Sequence, residues 1–211
     1  MKEIYANLFQ FTQFIPPIQF TIHQYLLNVG EPLLMGTGTM KQAEEMLPQI
    51  KEILGGQELK YILISHMESD ECGGLSVFRK VYPQVTILCS ELTARELFGY
   101  GSNGNIVVKK GGDTLSGNGF DLTFIDYPSE VHLQNGLVFF EKNSGIFFSS
   151  DLMLRMGNGS GQVIKGDWKA EVESISSDRV CNESLKEILK KTLLGLNPNF
   201  IAVGHGFCLE V

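Results

Sequence analysis

The sequence has few cysteines, few basic residues and no long apolar run. The four cysteines, Cys72, Cys89, Cys181 and Cys208, show no CxxC spacing, which argues against a small disulfide-stapled scaffold. The 17 lysines and arginines are outnumbered by 24 aspartates and glutamates, giving a net charge of −7. A nucleic-acid partner is therefore disfavoured, because phosphate binding needs clustered basic side chains. No segment reaches the roughly 20 apolar residues of a membrane span.

The N-terminus also lacks the apolar stretch of a secretory signal, because Glu3 and Asn7 interrupt it. We therefore expect a cytoplasmic protein with reduced thiols and no membrane partner. The chain has 211 residues, of which 43% are hydrophobic, enough for one domain with a sizeable core. No short repeat and no Pro/Ser-rich linker argues for a second domain, so a single domain over 1–211 is expected.

Apolar patterning predicts two β-rich halves, each backed by helices. The first half has predicted strands at 18–28, 32–36, 61–64 and 85–88 and helices at 39–54, 73–81 and 91–98. The second has predicted strands at 105–109, 119–125, 137–141, 145–149 and 200–203 and a helix, broken in its middle, near 171–194. The glycine-rich stretch 153–167 is predicted to be a mobile loop. This order predicts an α/β fold, a four-layer sandwich with helices outside two stacked sheets.

Four metal-capable side chains occur within six residues directly after the apolar run 61–64: His66, Glu68, Asp70 and Glu71. The carboxyl end of a strand is where α/β folds usually place their sites. In an extended segment His66 and Glu68 project to the same side, so they could share one metal. Asp70 and Glu71 are adjacent and diverge, so they could serve a second metal. An acidic surface loop with one incidental histidine is the alternative that this segment alone leaves open.

Three further metal-capable side chains lie at the ends of apolar strands: His132, Asp151 and His205. Taken singly, a histidine is usually a satisfied polar residue, and an aspartate after a strand is usually a turn residue. Converging strand ends would bring all three to the acidic loop, which indicates a metal centre. His23, within the strand 18–28, could orient a ligand, but a strand histidine satisfied by a neighbour is the interpretation we favour.

The order HxExD(E)…H…D…H, with the segments LMGTG at 34–38, FSSD at 148–151 and VGHG at 203–206, resembles the metallo-β-lactamase superfamily. Glu68 stands where its hydrolases carry the second histidine. That exchange is similar to the flavodiiron proteins and to the stand-alone oxygen-binding diiron proteins related to them. The resemblance covers nearly the whole chain and implies a metallo-β-lactamase-type αβ/βα sandwich. It also implies that one iron is held by His66, Glu68 and His132, the other by Asp70 and His205, and both by a bridging Asp151.

The sequence departs from the family pattern at two positions. Glu71 follows Asp70 where a histidine is usual, and Gly36 stands where an acidic residue is expected before Thr37. Glu71 is therefore expected either to coordinate a metal or to hold a water. The chain ends soon after His205, so we expect no flavodoxin domain, no rubredoxin domain and no FMN in this chain.

Carboxylates outnumber imidazoles among the candidate ligands. Hydrolytic zinc prefers histidine-rich sites, whereas oxygen-rich ligation suits iron or manganese. We expect two iron ions, with zinc or manganese as alternatives. The predicted protein binds, senses or reduces dioxygen, or NO, with an external redox or signalling protein. Whether it is an oxygen- or NO-reductase-like enzyme or an oxygen-binding protein stays open, as does a homodimer. The alternatives are a dinuclear metallohydrolase and a metal-free scaffold that binds a partner.

Overall fold

Within residues 1–129 and 136–211, which the computed structural model describes, the strands form two seven-stranded sheets. The first sheet contains, side by side in chain order, β1 (Lys2–Tyr5), β2 (Leu8–Ile15), β3 (Phe20–Leu27), β4 (Leu33–Met35), β5 (Tyr61–Leu63), β6 (Thr86–Cys89) and β7 (Ile106–Val108). Neighbours are antiparallel from β1 to β4 and parallel from β4 to β7. The parallel half requires crossover connections, which helices provide.

The second sheet contains β8 (Thr114–Gly117), β9 (Phe120–Tyr127), β10 (Gly136–Glu141), β11 (Ile146–Ser150), β12 (Val163–Lys165), β13 (Phe200–Val203) and β14 (Cys208–Glu210). Its spatial order is β12-β14-β13-β11-β10-β9-β8. β8 to β11 form an antiparallel meander, and β13 then joins β11 in parallel. The carboxyl ends of β11 and β13 therefore meet at the same edge of the sheet.

The helices are α1 (Met40–Leu54), α2 (Ser69–Cys72), α3 (Leu75–Val81), α4 (Glu91–Gly99), α5 (Trp168–Glu173) and α6 (Glu183–Leu194). α1 begins with a capping box, in which the side chains of Thr39 and Gln42 each accept the other residue's backbone N–H. Among the helices of the described ranges, none combines the length and apolarity needed to span a bilayer.

Alternating side chains of each sheet pack into two different layers. In the first sheet, Leu34 and Ile62 pack among residues of α1 and α3, whereas Leu63 packs among residues of the second sheet. In β11, the ring of Phe148 lies against Tyr25 of β3, and the ring of Phe147 lies against Trp168 of α5. The sheets therefore face each other with helices outside both, and the predicted four-layer sandwich is confirmed.

Most of the predicted strands and helices are present. The predicted broken helix near 171–194 corresponds to α5 and α6. β1, β2, β8 and β14 were not predicted. The prediction of a mobile loop over 153–167 is wrong at its end, because β12 pairs there with β14. The helix after β5 was predicted to begin at 73, but a short helix, α2, already begins at Ser69.

Gly74, the residue just before α3, lies close against α1. A Cβ at Gly74 would lie 2.3 Å from the Cβ of Ala43 and 2.8 Å from the carbonyl oxygen of Thr37. We expect Gly74→Ala to lower the free energy of unfolding by about 1–3 kcal/mol, as overpacking does, measured by urea denaturation. Gly99→Ala is the control, because a Cβ there meets open space; equal stability of the two variants would contradict the prediction.

Candidate metal centre

The acidic loop leaves β5 and turns directly into α2. His66 follows the buried end of β5, and Glu68 occupies the position just before the helix. Asp70 and Glu71 lie in the first turn of α2, so they are carried by a helical turn instead of the loop that was expected. Adjacent helical residues still point in different directions, so the two carboxylates diverge.

Asp151 follows a strained residue at the end of β11. The pairing of β11 with β13 shifts register between Phe148 and Ser150, an irregularity of the kind that re-aims side chains next to functional sites. Ser150 has φ 46° and ψ −132°, a conformation rarely adopted by residues with a side chain. Its hydroxyl oxygen lies 2.8 Å from that of Ser65, which ties this turn to the loop after β5.

The Asp151 carboxylate lies between two histidines that follow strands of different sheets. Oδ2 of Asp151 is 3.6 Å from Nε2 of His66, and Oδ1 is 3.0 Å from Nε2 of His205. Each histidine has a second carboxylate: Glu68 Oε2 is 3.7 Å from His66 Nε2, and Asp70 Oδ2 is 3.7 Å from His205 Nε2. The ligand atoms of His66, Glu68 and Asp151 all lie within 4.8 Å of one another. Two potential cation sites therefore share one carboxylate.

Both histidines are also held at the ring nitrogen that faces away from Asp151. Nδ1 of His66 lies 2.8 Å from the hydroxyl of Ser65, and Nδ1 of His205 lies 2.9 Å from the carbonyl oxygen of Thr21. Because a carbonyl only accepts, Nδ1 of His205 carries the hydrogen in this bond. The ring of Phe20 stacks on His205 with centroids 4.3 Å apart. Such contacts orient a histidine so that Nε2 can bind a metal.

The crowding of carboxylates changes the ionisation of the whole cluster. Burial raises the pKa of Glu71 to about 7, and it also raises the pKa of Asp70 above its ordinary value. Burial disfavours the charged form of His66, but the Glu68 hydrogen bond and the charges of Glu71 and Asp151 outweigh it and raise the His66 pKa to about 9. The cluster therefore attracts positive charge. Bound cations would replace the protons of the histidines.

Glu71 fills the space that Gly36 leaves open. Gly36 has φ +69°, and a Cβ there would lie 3.3 Å from Oε2 of Glu71. The backbone N–H of Thr37 donates to the carbonyl oxygen of Glu71 over 2.7 Å. With Ser65 and Ser150, Glu71 also lines a cavity of about 30 Å³, room for a water molecule. The two positions that depart from the family pattern are thus in contact.

The structure brings six of the seven predicted ligands together: His66, Glu68, Asp70, Glu71, Asp151 and His205. His132 lies outside the described residues. This donor set fits two divalent cations, and its oxygen donors suit iron or manganese. Sequence reasoning missed Thr21, which acts through its backbone carbonyl and so carries no side-chain signal. It also missed Ser65 and Ser150, whose positions next to His66 and Asp151 could have drawn attention to them.

Comparisons with known proteins identify relatives over most of the chain. A family model described as "ODP family beta lactamase" matches residues 20–206. The anaerobic nitric oxide reductase flavorubredoxins of Salmonella arizonae and Klebsiella pneumoniae are 26% and 27% identical to this chain over 132 residues. The match covers 61% of this chain and 27% of each relative, so the chain corresponds to a minor part of those proteins.

Solved structures share the fold. Rubredoxin oxygen:oxidoreductase from Desulfovibrio gigas has a TM-score of 0.80 and 19% identity, covering 99% of this chain and 57% of that one. The flavodiiron protein of Giardia intestinalis has a TM-score of 0.79 and 15% identity, covering 100% of this chain and 55% of that one. At such low identity these likenesses establish the architecture alone.

Two substitutions at Ser150 separate its backbone strain from its hydroxyl. Ser150→Ala loses the hydroxyl and keeps the strain, whereas Ser150→Gly loses both. Relief of about 1–3 kcal/mol of strain is partly offset by glycine's greater flexibility in the unfolded chain, roughly 1 kcal/mol. We therefore expect the glycine variant to be more stable than the alanine variant by about 1 kcal/mol, measured by urea unfolding without metal.

Ser149 provides the matched control, since it is buried beside Ser150 and is not among the residues with positive φ. At Ser149 the order should reverse, with alanine more stable than glycine. If the alanine variant is more stable than the glycine variant at position 150 as well as at position 149, Ser150 is not strained.

Proposed function

The chain belongs to the family described as ODP family beta lactamase, and from this we propose that it is a non-haem diiron protein that binds, senses or reduces dioxygen. NO is the alternative ligand, and electrons would come from an external donor. The observation that carries the proposal is the Asp151 carboxylate, 3.6 Å from His66 and 3.0 Å from His205. A carboxylate contacting two imidazoles, each with a further carboxylate, suits a pair of cations with one bridging ligand.

In this proposal His66, Glu68 and His132 hold one iron, Asp70 and His205 hold the other, and Asp151 bridges them. Glu71 either coordinates the second iron or holds a water beside it. When bound, a ferrous pair supplies one-electron chemistry toward dioxygen or NO.

The protein's own residues prepare the site before any metal binds. The Ser65 hydroxyl and the Thr21 carbonyl hold Nδ1 of His66 and of His205, which leaves each Nε2 directed at Asp151. Phe20 covers one face of the His205 ring and excludes water from that side. His66, His205 and Asp151 are all buried, so the ligands lose little side-chain freedom when a cation binds.

The names of the relatives favour redox chemistry over hydrolysis. The flavorubredoxins are named for nitric oxide reduction and the D. gigas protein for oxygen chemistry. Those names describe proteins of which this chain matches only a part, so we assign their activity to this chain only as a proposal. The carboxylate-rich donor set supports the same conclusion, because hydrolytic zinc sites are richer in histidine. The dinuclear hydrolase alternative has no comparable support.

The proposal also covers the domain organisation, the cellular location and the partner of the chain. We propose a single metallo-β-lactamase-type domain over 1–211 that acts in the cytoplasm with a separate redox or signalling protein. The association of two copies into a homodimer stays open, as in the sequence analysis.

Iron loading without oxygen tests the function directly. The purified protein is incubated anaerobically with Fe(II), desalted and analysed for bound metal, and its absorption spectrum is recorded before and after addition of O₂ and, separately, of NO. We expect two irons per chain and a new near-ultraviolet band after O₂. Zinc accompanied by esterase or phosphodiesterase turnover would support the hydrolase instead. Failure to retain any metal would support the metal-free scaffold.

Substitutions of two carboxylates test the ligand assignment. Asp151→Ala removes the shared ligand, so bound iron should fall from two per chain to nearly none. Glu71→Gln should weaken mainly one of the two sites. Asp121→Ala is the control, because Asp121 pairs with Lys142 and is not part of the acidic cluster; it should retain two irons. Two tightly bound irons in Asp151→Ala would refute the bridging role.

A further inference from the structure

Besides the stacking of Phe20 on His205, three hydrogen bonds join β3 to the loop that carries His205. The carbonyl oxygen of Thr21 accepts the hydrogen bond from Nδ1 of His205. The backbone N–H of His23 donates to the carbonyl oxygen of Gly204 over 2.9 Å. Nε2 of His23 lies 2.7 Å from the carbonyl oxygen of Gly206. The residue on each side of His205 is therefore bonded to the same histidine of β3, once through its backbone and once through its ring.

The hydrogen bonds of the His23 ring define how it is protonated. The Gly206 carbonyl can only accept, so Nε2 of His23 carries the hydrogen. In the neutral ring Nδ1 then accepts from the hydroxyl of Thr12, which lies 2.8 Å away. His23 is buried, with 4% of its surface exposed; its bond to Gly206 is buried, and its bond to Thr12 is partly buried. A ring held at both nitrogens is a rigid support for the Gly206 backbone.

The opposite side of the loop is also restrained. The backbone N–H of Arg155 donates to the carbonyl oxygen of His205 over 3.1 Å. A Cβ at Gly206 would lie 2.5 Å from the carbonyl oxygen of Arg155. On the side of β3, two side chains hold the loop: the ring of His23 bonds to the Gly206 carbonyl, and the ring of Phe20 stacks on His205.

We infer that His23 is a positioning residue for the second cation of the metal centre, acting through the Gly206 carbonyl to keep the imidazole of His205 directed at Asp70 and Asp151. The inference rests on the proposed function, since it presupposes that cations bind there. It predicts that a change at His23 affects the His205 site and leaves the His66 site unaffected. Nδ1 of His66 is held by Ser65 and lies 3.4 Å from the hydroxyl of Ser150, and His23 takes no part in either contact.

Three substitutions of His23 separate positioning from simple filling of space. In His23→Gln the side-chain amide nitrogen reaches about as far as Nε2 of the original histidine ring, so it can still donate to the Gly206 carbonyl. In His23→Asn the amide reaches only as far as Nδ1, so it can pair with Thr12 but cannot reach Gly206. His23→Leu fills the space and has no polar atom. The backbone bond from residue 23 to Gly204 persists in all three variants.

The measurement is anaerobic equilibrium dialysis of each full-length variant against Fe(II), fitted for two sites. Mössbauer spectra are recorded to distinguish coupled pairs from isolated ions. In His23→Asn and His23→Leu we expect one of the two irons, the one assigned to Asp70 and His205, to lose about 10–100-fold in affinity, the usual effect of removing a group that orients a metal-binding histidine. The affinity for the other iron should be unaffected. His23→Gln should stay close to wild type at both sites. Urea unfolding of the metal-free variants reports any loss of stability.

Two results would overturn the inference while leaving the proposed function intact. One is two irons bound with wild-type affinity in His23→Leu. The other is an equal loss at both sites in all three variants, His23→Gln included, together with lowered stability without metal, because that pattern is expected of a packing residue. Wild-type protein that binds fewer than two irons would overturn the proposed function, and this inference with it.

Discussion

The contact of one carboxylate with histidines of both sheets is the constraint on which the site depends. His66 follows β5 of the first sheet, whereas Asp151 and His205 follow β11 and β13 of the second. The 3.6 Å separation between His66 and Asp151 therefore exists only if the two sheets pack in one relative position. The apolar layer between the sheets provides that position, and it contains Phe148 and Tyr25 close to the site. Buried carboxylates are costly without positive partners, so the apolar core must offset the cost until cations bind.

Each of the two histidines beside Asp151 is supported by a group from the opposite sheet. His205, from the second sheet, is held by the Thr21 carbonyl of β3 in the first. His66, from the first sheet, lies near the Ser150 hydroxyl at the end of β11 in the second. The backbone of the acidic loop is tied across in the same way, because the N–H of Leu137 in β10 donates to the Ser65 carbonyl. A small shift between the sheets would therefore misplace both histidines together, and the two potential cation sites are mechanically coupled.

The sequence could predict the elements that carry strong local patterns. α1 has a capping residue, a helical apolar period and a glycine stop, and it lies where it was predicted. The resemblance to the metallo-β-lactamase superfamily is confirmed by the family match. β2 was missed, since its hairpin turns at Ala6-Asn7 with positive φ at both residues and without the usual glycine. β12 and β14 have three residues each, too few to show a period, and both lack the continuous apolar run that marks the equally short β4 and β5. The side chains of the site could be listed from sequence, but the Thr21 carbonyl that orients His205 could not, because every residue has such a carbonyl.

The contact between Gly36 and Glu71 limits the order in which this site can change during evolution. An acidic residue introduced at position 36 would adopt φ +69° and bring its Cβ to 3.3 Å from the Glu71 carboxylate, so both backbone conformation and charge repulsion oppose it. A change at position 71 meets no such obstacle while Gly36 remains. The two positions are therefore epistatic: an acidic residue at position 36 meets less charge repulsion in a lineage in which a histidine has already replaced Glu71.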